Sequence, residues 1–215
     1  MSKPPVLVVV AGPNGSGKST FTRSAPPKAP LLDPDAIARL VNPEQPGMAA
    51  IEAGRRAATQ IRELKRDRQS FAVESTLAGK YALQLMEQAK AGGYRVDLVV
   101  IGLEHPALNA ERVAARVLRG GHDVPISDIR RRYRRGMMNL PTALSLAHRA
   151  MLLDNSSAHD PFRVIMRANR GIVTQIAPAL PNWLERAFAD HVLALGRSIE
   201  RKRGDDWPGP NKGAP

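Results

Sequence analysis

Short apolar runs alternate with longer segments of mixed polarity along most of the 215-residue chain. Apolar runs that end at Gly, Pro or Asp are typical of buried strands, whereas apolar residues spaced three or four apart indicate helices. The pattern predicts strands over residues 6–11, 31–33, 70–75, 95–103, 152–155, 162–169 and 171–176. It predicts helices over residues 16–24, 36–40, 48–67, 80–91, 106–118, 126–138, 144–151 and 181–199.

Strands that alternate with helices predict a three-layer α/β fold in which right-handed crossovers build a mostly parallel central sheet. We expect one domain over residues 1–200, in which the last two strands form a hairpin. Residues 201–215 are rich in Gly, Pro and charged residues, so we expect a disordered tail there. Ligands of such sheets bind beyond the carboxyl ends of the strands, and side chains that follow the strands should therefore line one crevice.

The first predicted strand leads into a loop that fits G-x-x-x-x-G-K-[ST] at every fixed position, as in P-loop (Walker A) proteins. Glycine lets backbone N–H groups curl around phosphate oxygens, and the following helix points its positive end at the same anion. The lysine would contact the β- and γ-phosphates, and the serine hydroxyl would ligate Mg²⁺. The pattern predicts an ATP or GTP site made by Gly12, Pro13, Asn14, Gly15, Ser16, Gly17, Lys18, Ser19 and Thr20, with Ser19 as the metal ligand.

Carboxylates follow the second and third predicted strands. Asp35 could accept the proton of an attacking hydroxyl, or it could cap the short helix that begins beside it. Glu74 could bind a substrate hydroxyl or a metal-bound water, which would partly fill the place of a Walker B carboxylate, or it could simply end the strand. Their position after a P-loop favours the catalytic interpretation of Asp35.

Arginines are concentrated between residues 112 and 135, where two predicted helices flank a Gly-Gly turn. Phosphoryl transfer builds negative charge on the transferred group, and arginines on a closing segment can offset it. We therefore predict a lid over about residues 112–138; the alternative is a basic, solvated outer face. The candidate arginines are Arg116, Arg119, Arg131 and Arg132.

Composition narrows the class of partner. The chain has 32 Lys and Arg against 20 Asp and Glu, which gives a formal net charge of +12. A basic protein can bind nucleic acid, an acidic membrane surface or a polyanionic small substrate. Only 4% of the residues are aromatic, with no interleaved basic and aromatic stripe, so nucleic acid is disfavoured. No apolar run approaches the length of a membrane span, and cysteine is absent, so we expect a cytoplasmic protein.

Several segments resemble, in order and spacing, the zeta-toxin family of P-loop kinases, and in particular its short stand-alone bacterial members. The segments are AGPNGSGKST, LLDPDAIA, FAVESTLAG, RVLRGGHDVPISDIRRRYRRGMMNL and LLDNS. The resemblance covers residues 6–187. The P-loop segment is also common in ABC-type ATPases, whereas the later segments are more specific.

The resemblance implies a kinase that uses ATP or GTP to phosphorylate a hydroxyl, which in the characterised toxins belongs to a UDP-N-acetyl amino sugar. It places Asp35 at the catalytic base and Glu74 and Thr76 at the substrate contacts. It places the lid arginines between Arg116 and Arg132, and it implies a toxin–antitoxin setting in which a separate protein supplies the antitoxin.

Two other classes of P-loop protein stay open. An ABC-like ATPase should carry an LSGGQ-type signature and a hydrophobic Walker B strand, and the sequence has neither. A polynucleotide kinase or another nucleic-acid-associated protein would fit the charge but lacks the recognition residues noted above. We therefore predict a Mg²⁺- and ATP-dependent kinase that acts on a small molecule.

Overall fold

The computed structural model of the chain describes residues 3–121 and 123–188. Within these residues the chain forms seven strands and seven α-helices. The strands are β1 (Val6–Ala11), β2 (Leu31–Leu32), β3 (Phe71–Ser75), β4 (Arg95–Gly102), β5 (Arg149–Asp154), β6 (Arg163–Asn169) and β7 (Ile172–Ile176). The helices are α1 (Lys18–Ser24), α2 (Pro34–Val41), α3 (Ala50–Arg66), α4 (Lys80–Ala91), α5 (Pro106–Val117), α6 (Ile126–Leu146) and α7 (Asn182–Phe188).

All seven strands join one sheet in the order β2-β3-β1-β4-β5-β6-β7. The first five strands of this order are parallel, and β6 and β7 add an antiparallel hairpin at the edge. The mostly parallel sheet of the predicted α/β fold is therefore confirmed. Because β1 lies between β3 and β4, the loops after these strands meet around the P-loop.

The sheet is buried on both faces. Successive residues of a strand point to opposite faces, so Val9 and Val10 of β1 enter two different hydrophobic clusters. Leu98 and Val99 of β4 divide in the same way. Two cores on either side of one sheet form the three layers that the alternating pattern predicts.

Helix α6 differs most from its prediction. It continues past the predicted end at residue 138 and runs through Pro141 to Leu146, although proline removes one helical hydrogen bond. The predicted helix over residues 144–151 is wrong, because the chain enters strand β5 at Arg149 and pairs with β4 from Asp97 onward. The pairing of this apolar segment with a buried parallel strand overrides its local helical pattern.

The two halves of α6 belong to different parts of the molecule. Its first half packs with α5 around a small separate cluster of Val113, Val124 and Ile129. Its second half places Leu140 and Ala143 in the main core. One continuous helix therefore connects the predicted lid to the body of the domain.

Two helix starts also shift slightly. The predicted helix over residues 48–67 is a short 3₁₀ turn, Pro46–Ala49, followed by α3. The final predicted helix, 181–199, begins as α7, but residues 189–199 and the expected tail over 201–215 lie outside the described residues. No helix in residues 3–121 and 123–188 is long and apolar enough to cross a membrane.

Candidate active site

The P-loop glycines occupy backbone conformations that side chains rarely adopt. Gly15 and Gly17 have φ values of 76° and 100°. A Cβ atom on Gly17 would lie 2.6 Å from Asn155 Nδ2, and one on Gly15 would lie 2.7 Å from the Asn109 carbonyl oxygen. Glycine is required at both positions by conformation and by space. Gly12, which follows β1, is similarly crowded by the Ile101 carbonyl oxygen and the Ser16 hydroxyl.

The side chain of Lys18 folds back into the P-loop, which precedes it in the chain. Its Nζ donates hydrogen bonds to the carbonyl oxygens of Gly12 (2.8 Å) and Pro13 (3.1 Å). Burial lowers the pKa of Lys18 from its usual 10.5, and this desolvation is opposed by the carboxylates of Glu74, Asp35 and Asp33. The ammonium of Lys18 is therefore buried within the P-loop, near enough to three carboxylates for their charges to act on it.

Glu74 contacts the P-loop helix through both carboxylate oxygens. The Ser19 hydroxyl donates to Glu74 Oε2 over 2.9 Å, and the Thr22 hydroxyl donates to Oε1 over 2.7 Å. The cause is the sheet register, since Glu74 lies beside Val10 of β1, next to the start of the loop. This places the carboxylate of Glu74 directly at the side chain that is predicted to ligate the metal.

The capping role that the sequence offered to Asp35 belongs to Asp33. Asp33 caps α2, because its side chain accepts a hydrogen bond from the Asp35 N–H over 3.0 Å. Burial, helped by the nearby carboxylates of Glu74 and Asp35, raises the pKa of Asp33. The Asp35 carboxylate is thus not the helix cap. It is exposed, and no side chain or backbone group among residues 3–121 and 123–188 hydrogen-bonds to it.

These groups line one pocket of about 470 Å³ between the P-loop, β3, and helices α2, α3 and α4. Its charged side chains are Lys18, Asp33, Asp35, Glu74 and Arg132. Thr76 also lines it. A larger cavity at the opposite end of the sheet, beside His148 and Arg149, shares none of these residues. The predicted crevice beyond the strand ends therefore exists and brings together the acidic and basic candidates.

Thr76 is positioned by helix α6. Gly136 packs against its backbone so closely that a Cβ atom there would lie 2.8 Å from the Thr76 carbonyl oxygen. Asn139 Nδ2 donates to the next carbonyl, that of Leu77, over 2.8 Å. The second half of α6 thus fixes the loop that carries Thr76.

Only some of the predicted lid arginines lie at the P-loop. Arg132 donates from Nη1 to Asn14 Oδ1 over 3.4 Å, and it lines the pocket. Arg116 is close enough to Lys18 for its charge to lower the lysine pKa. By contrast, Arg119 is exposed and donates to the carbonyl of Ala115 on its own helix.

Arg131 is also directed elsewhere. It forms an ion pair of 2.9 Å with Asp128, one turn earlier on α6, and it does not line the pocket. Residue 122, inside the predicted lid, lies outside the described residues. Of the four candidate arginines, Arg132 contacts the loop and Arg116 acts on Lys18 through its charge, whereas Arg119 and Arg131 are bonded to residues close to them in the chain.

Two buried asparagines hold the P-loop in shape. Asn109 Nδ2, on α5, donates to the Asn14 carbonyl over 2.5 Å. Asn155 Nδ2, just after β5, donates to the Ser16 carbonyl over 2.8 Å. Neither asparagine belongs to the motifs that predict the site. Their only signal was an amide side chain near a strand end or on a helix beside the crevice.

The sheet order, the glycine-rich loop and the helix after it define a P-loop nucleotide-binding domain. A family model described as an AAA domain, AAA_33, matches residues 7–136, and the chain belongs to this family. The chain is 38% identical over 128 residues to an uncharacterized protein of Haemophilus influenzae. The aligned residues cover 59% of this chain and 91% of that protein.

Solved structures share the fold at low sequence identity. The PezAT chromosomal toxin–antitoxin system of Streptococcus pneumoniae matches with a TM-score of 0.61 at 14% identity, over 88% of this chain and 80% of that one. The AvrRxo1-ORF1:AvrRxo1-ORF2 complex with ATP matches with a TM-score of 0.63 at 15% identity, over 91% and 77%. The fold resemblance to P-loop kinases of the zeta-toxin type is confirmed.

Proposed function

We propose that the protein is a kinase that transfers the γ-phosphoryl group of ATP or GTP to a hydroxyl of a small molecule. The observation that carries this proposal is the Asp35 carboxylate, which has no capping role and lines the same pocket as Lys18 and Arg132. A free carboxylate facing the phosphate-binding lysine is what an in-line transfer to an alcohol requires.

In the proposed reaction Asp35 accepts the proton of the acceptor hydroxyl. The acceptor oxygen forms a bond to the γ-phosphorus, and the bond from that phosphorus to the β,γ-bridging oxygen breaks, which releases the nucleoside diphosphate. The P-loop N–H groups and Lys18 bind the phosphates. Because they are preorganised and largely buried, they stabilise the charge that develops during transfer.

The residues around Ser19 fit a magnesium ion. Mg²⁺ prefers oxygen ligands and keeps several waters, and the Ser19 hydroxyl stands 2.9 Å from the Glu74 carboxylate. Ser19 would ligate the ion, and Glu74 would bind one of its waters. When bound, Mg²⁺ neutralises charge on the β- and γ-phosphates. No group of three or more His, Asp or Glu side chains in the described part of the chain is arranged to hold a metal ion, so phosphate oxygens and waters would supply the remaining ligands.

Arg116 and Arg132 are the arginines that we assign to the transferred phosphoryl group. Arg132 contacts the P-loop from α6, and Arg116 on α5 lies near enough for its charge to act on Lys18. The site residues Arg119 and Arg131, which the sequence also suggested, would have to leave their partners Ala115 and Asp128 to take part. Glu74 is assigned mainly to the metal, and Thr76 to the acceptor.

The acceptor of the characterised zeta toxins is a UDP-N-acetyl amino sugar, so this compound is included among the acceptors to be compared. The fold shared with a toxin–antitoxin system supports a separate antitoxin as a candidate partner. We further propose that residues 1–200 act as one kinase domain in the cytoplasm, with residues 112–138 as its lid.

Transfer from γ-labelled ATP tests the proposal, with Lys18→Ala as the inactive variant and Lys28→Ala, in the connector after α1, as the matched control. We expect label on an acceptor with the wild type and the control, and none with Lys18→Ala. Release of phosphate without any labelled acceptor would contradict the kinase and favour an ATPase. Label on a 5′-hydroxyl oligonucleotide alone would favour the nucleic-acid alternative.

A further inference from the structure

The wall of the pocket away from the P-loop, where we place the acceptor, is apolar, whereas the wall at the P-loop is charged. Away from the P-loop the wall is formed by the facing surfaces of α3 and α4. The lining residues on this wall are Gly54, Ala57, Ala58, Ile61, Tyr81, Ala82 and Leu85. None of them carries a charge, so a molecule that enters the pocket places its body against an apolar surface.

The charges in the pocket are concentrated near the P-loop. The two lining cations are Lys18 and Arg132, and both contact the P-loop itself. Three carboxylates, Asp33, Asp35 and Glu74, line the same space. The cations are therefore outnumbered, and both are needed for the phosphates of the bound nucleotide.

A nucleoside diphosphate sugar would fit this wall poorly. Its diphosphate requires lysine, arginine or a row of backbone N–H groups, and burying it against alanine and leucine side chains would leave its charges unpaired. Arg62 on α3 lies close enough for its charge to act on Tyr81. Its guanidinium donates instead to the Thr59 hydroxyl over 2.9 Å on the exposed side of the helix.

We propose that the acceptor is an alcohol with a neutral or cationic body that is largely apolar and carries no phosphate. The inference rests on the proposed kinase function and names its substrate class. A pocket of about 470 Å³ is in the range that holds small organic ligands. Tyr81 is 55% exposed and lines the pocket, so its ring is available to an aromatic or cationic group. The carboxylates nearby favour a cation over an anion.

Transfer from γ-labelled ATP to three classes of alcohol tests this inference. The neutral class is N-acetylphenylalaninol with other neutral alcohols of similar size, and the cationic class is phenylalaninol with other amino alcohols of similar size. The anionic class is UDP-N-acetylglucosamine. Wild type and Asp35→Asn are compared throughout. We expect label that depends on Asp35 in the neutral or cationic class and none on the UDP-sugar. Label on the UDP-sugar that is lost in Asp35→Asn would overturn the inference and leave the kinase intact.

Absence of Asp35-dependent label on every probe would contradict the kinase proposal itself, so the two failures are distinguishable. A second measurement tests the wall. Tyr81→Ala should raise the KM for the labelled acceptor about tenfold and leave the KM for ATP unchanged, because Tyr81 lies on the acceptor side. Tyr81→Phe should behave as wild type. An unchanged acceptor KM in Tyr81→Ala would overturn the assignment of this wall.

Discussion

The Ser19 hydroxyl donates a hydrogen bond to Glu74 Oε2 over 2.9 Å, and this bond joins the P-loop to the end of strand β3. The neighbouring Thr22 hydroxyl holds the other oxygen of the same carboxylate. Glu74 is therefore fixed beside the proposed metal ligand. This relationship supports the proposed role of the Glu74 carboxylate beside the metal, which the residue pattern left as one of several alternatives.

Glu74→Gln should weaken the response to Mg²⁺. Glutamine keeps the shape of the side chain but loses the charge, and groups that support a metal site typically contribute 10- to 100-fold to metal affinity or activity. We expect the Mg²⁺ concentration for half-maximal transfer to rise by about that factor, measured by titration at saturating ATP. Glu63→Gln, on the exposed side of α3, is the control. An unchanged Mg²⁺ dependence would contradict the assignment.

Asn155→Ala should destabilise the fold and the P-loop together. The variant loses the bond to the Ser16 carbonyl and leaves that carbonyl buried without a side-chain partner, which costs about 1–3 kcal/mol. Unfolding in urea should show this loss, and ATP affinity should fall as well. Asn169→Ala on β6 should change stability by less than about 0.5 kcal/mol. Equal stability of the two variants would argue against a supporting role for Asn155.

Gly17→Ala should impair nucleotide binding and leave the domain folded. The residue has φ of 100°, and the new Cβ atom would lie 2.6 Å from Asn155 Nδ2, so the loop must change shape. We expect ATP affinity to fall at least about tenfold by calorimetry, which corresponds to about 1.4 kcal/mol. Gly79→Ala is the control. Its new Cβ atom would have no neighbouring atom within 4 Å, so this variant should bind ATP normally. Normal binding by Gly17→Ala would disprove the geometric requirement.

Asp33→Asn should stabilise the protein in a pH-dependent way. Burial first, and then the Glu74 and Asp35 carboxylates, raise the pKa of Asp33 above its usual 3.8. The folded protein therefore binds this proton more tightly than the unfolded chain, and stability falls as the pH rises from the unfolded to the folded pKa. Asparagine can still cap α2.

Urea unfolding at about pH 7 and about pH 3 measures the effect of that change. The variant should be more stable than wild type at the higher pH, where the buried charge is removed, and should show no gain at the lower pH, where Asp33 is protonated in both states. The pair with Arg39, at 3.7 Å and with an exposed arginine, contributes little. A gain of equal size at both pH values would contradict the electrostatic explanation.

The sequence predicted the elements whose pattern is local. Strand β1 and helix α4 have the predicted bounds, because the first is an apolar run before a P-loop and the second lies between Gly79 and Gly92. The P-loop could be predicted because its function requires glycine at fixed positions. The pocket could be predicted because parallel strands end at the same edge of a sheet.

What the sequence could not predict depends on contacts between distant residues. The segment at Arg149 becomes a strand because β4 offers it a parallel partner. Arg131 and Arg132 are neighbours on one helix, yet Asp128 holds the first while the second also reaches Asn14. Asn109 contacts a loop 95 residues earlier in the chain, and no local pattern reports such a contact.

The most direct test of the account is single-turnover transfer from γ-labelled ATP by Asp35→Asn. Wild type and Asp160→Asn, a change at an exposed loop carboxylate, serve as references with whichever alcohol the wild type labels. General-base catalysis contributes about 10²- to 10⁴-fold. The account predicts that Asp35→Asn loses transfer by a factor in this range and binds ATP as tightly as wild type. Transfer at the wild-type rate would contradict the account.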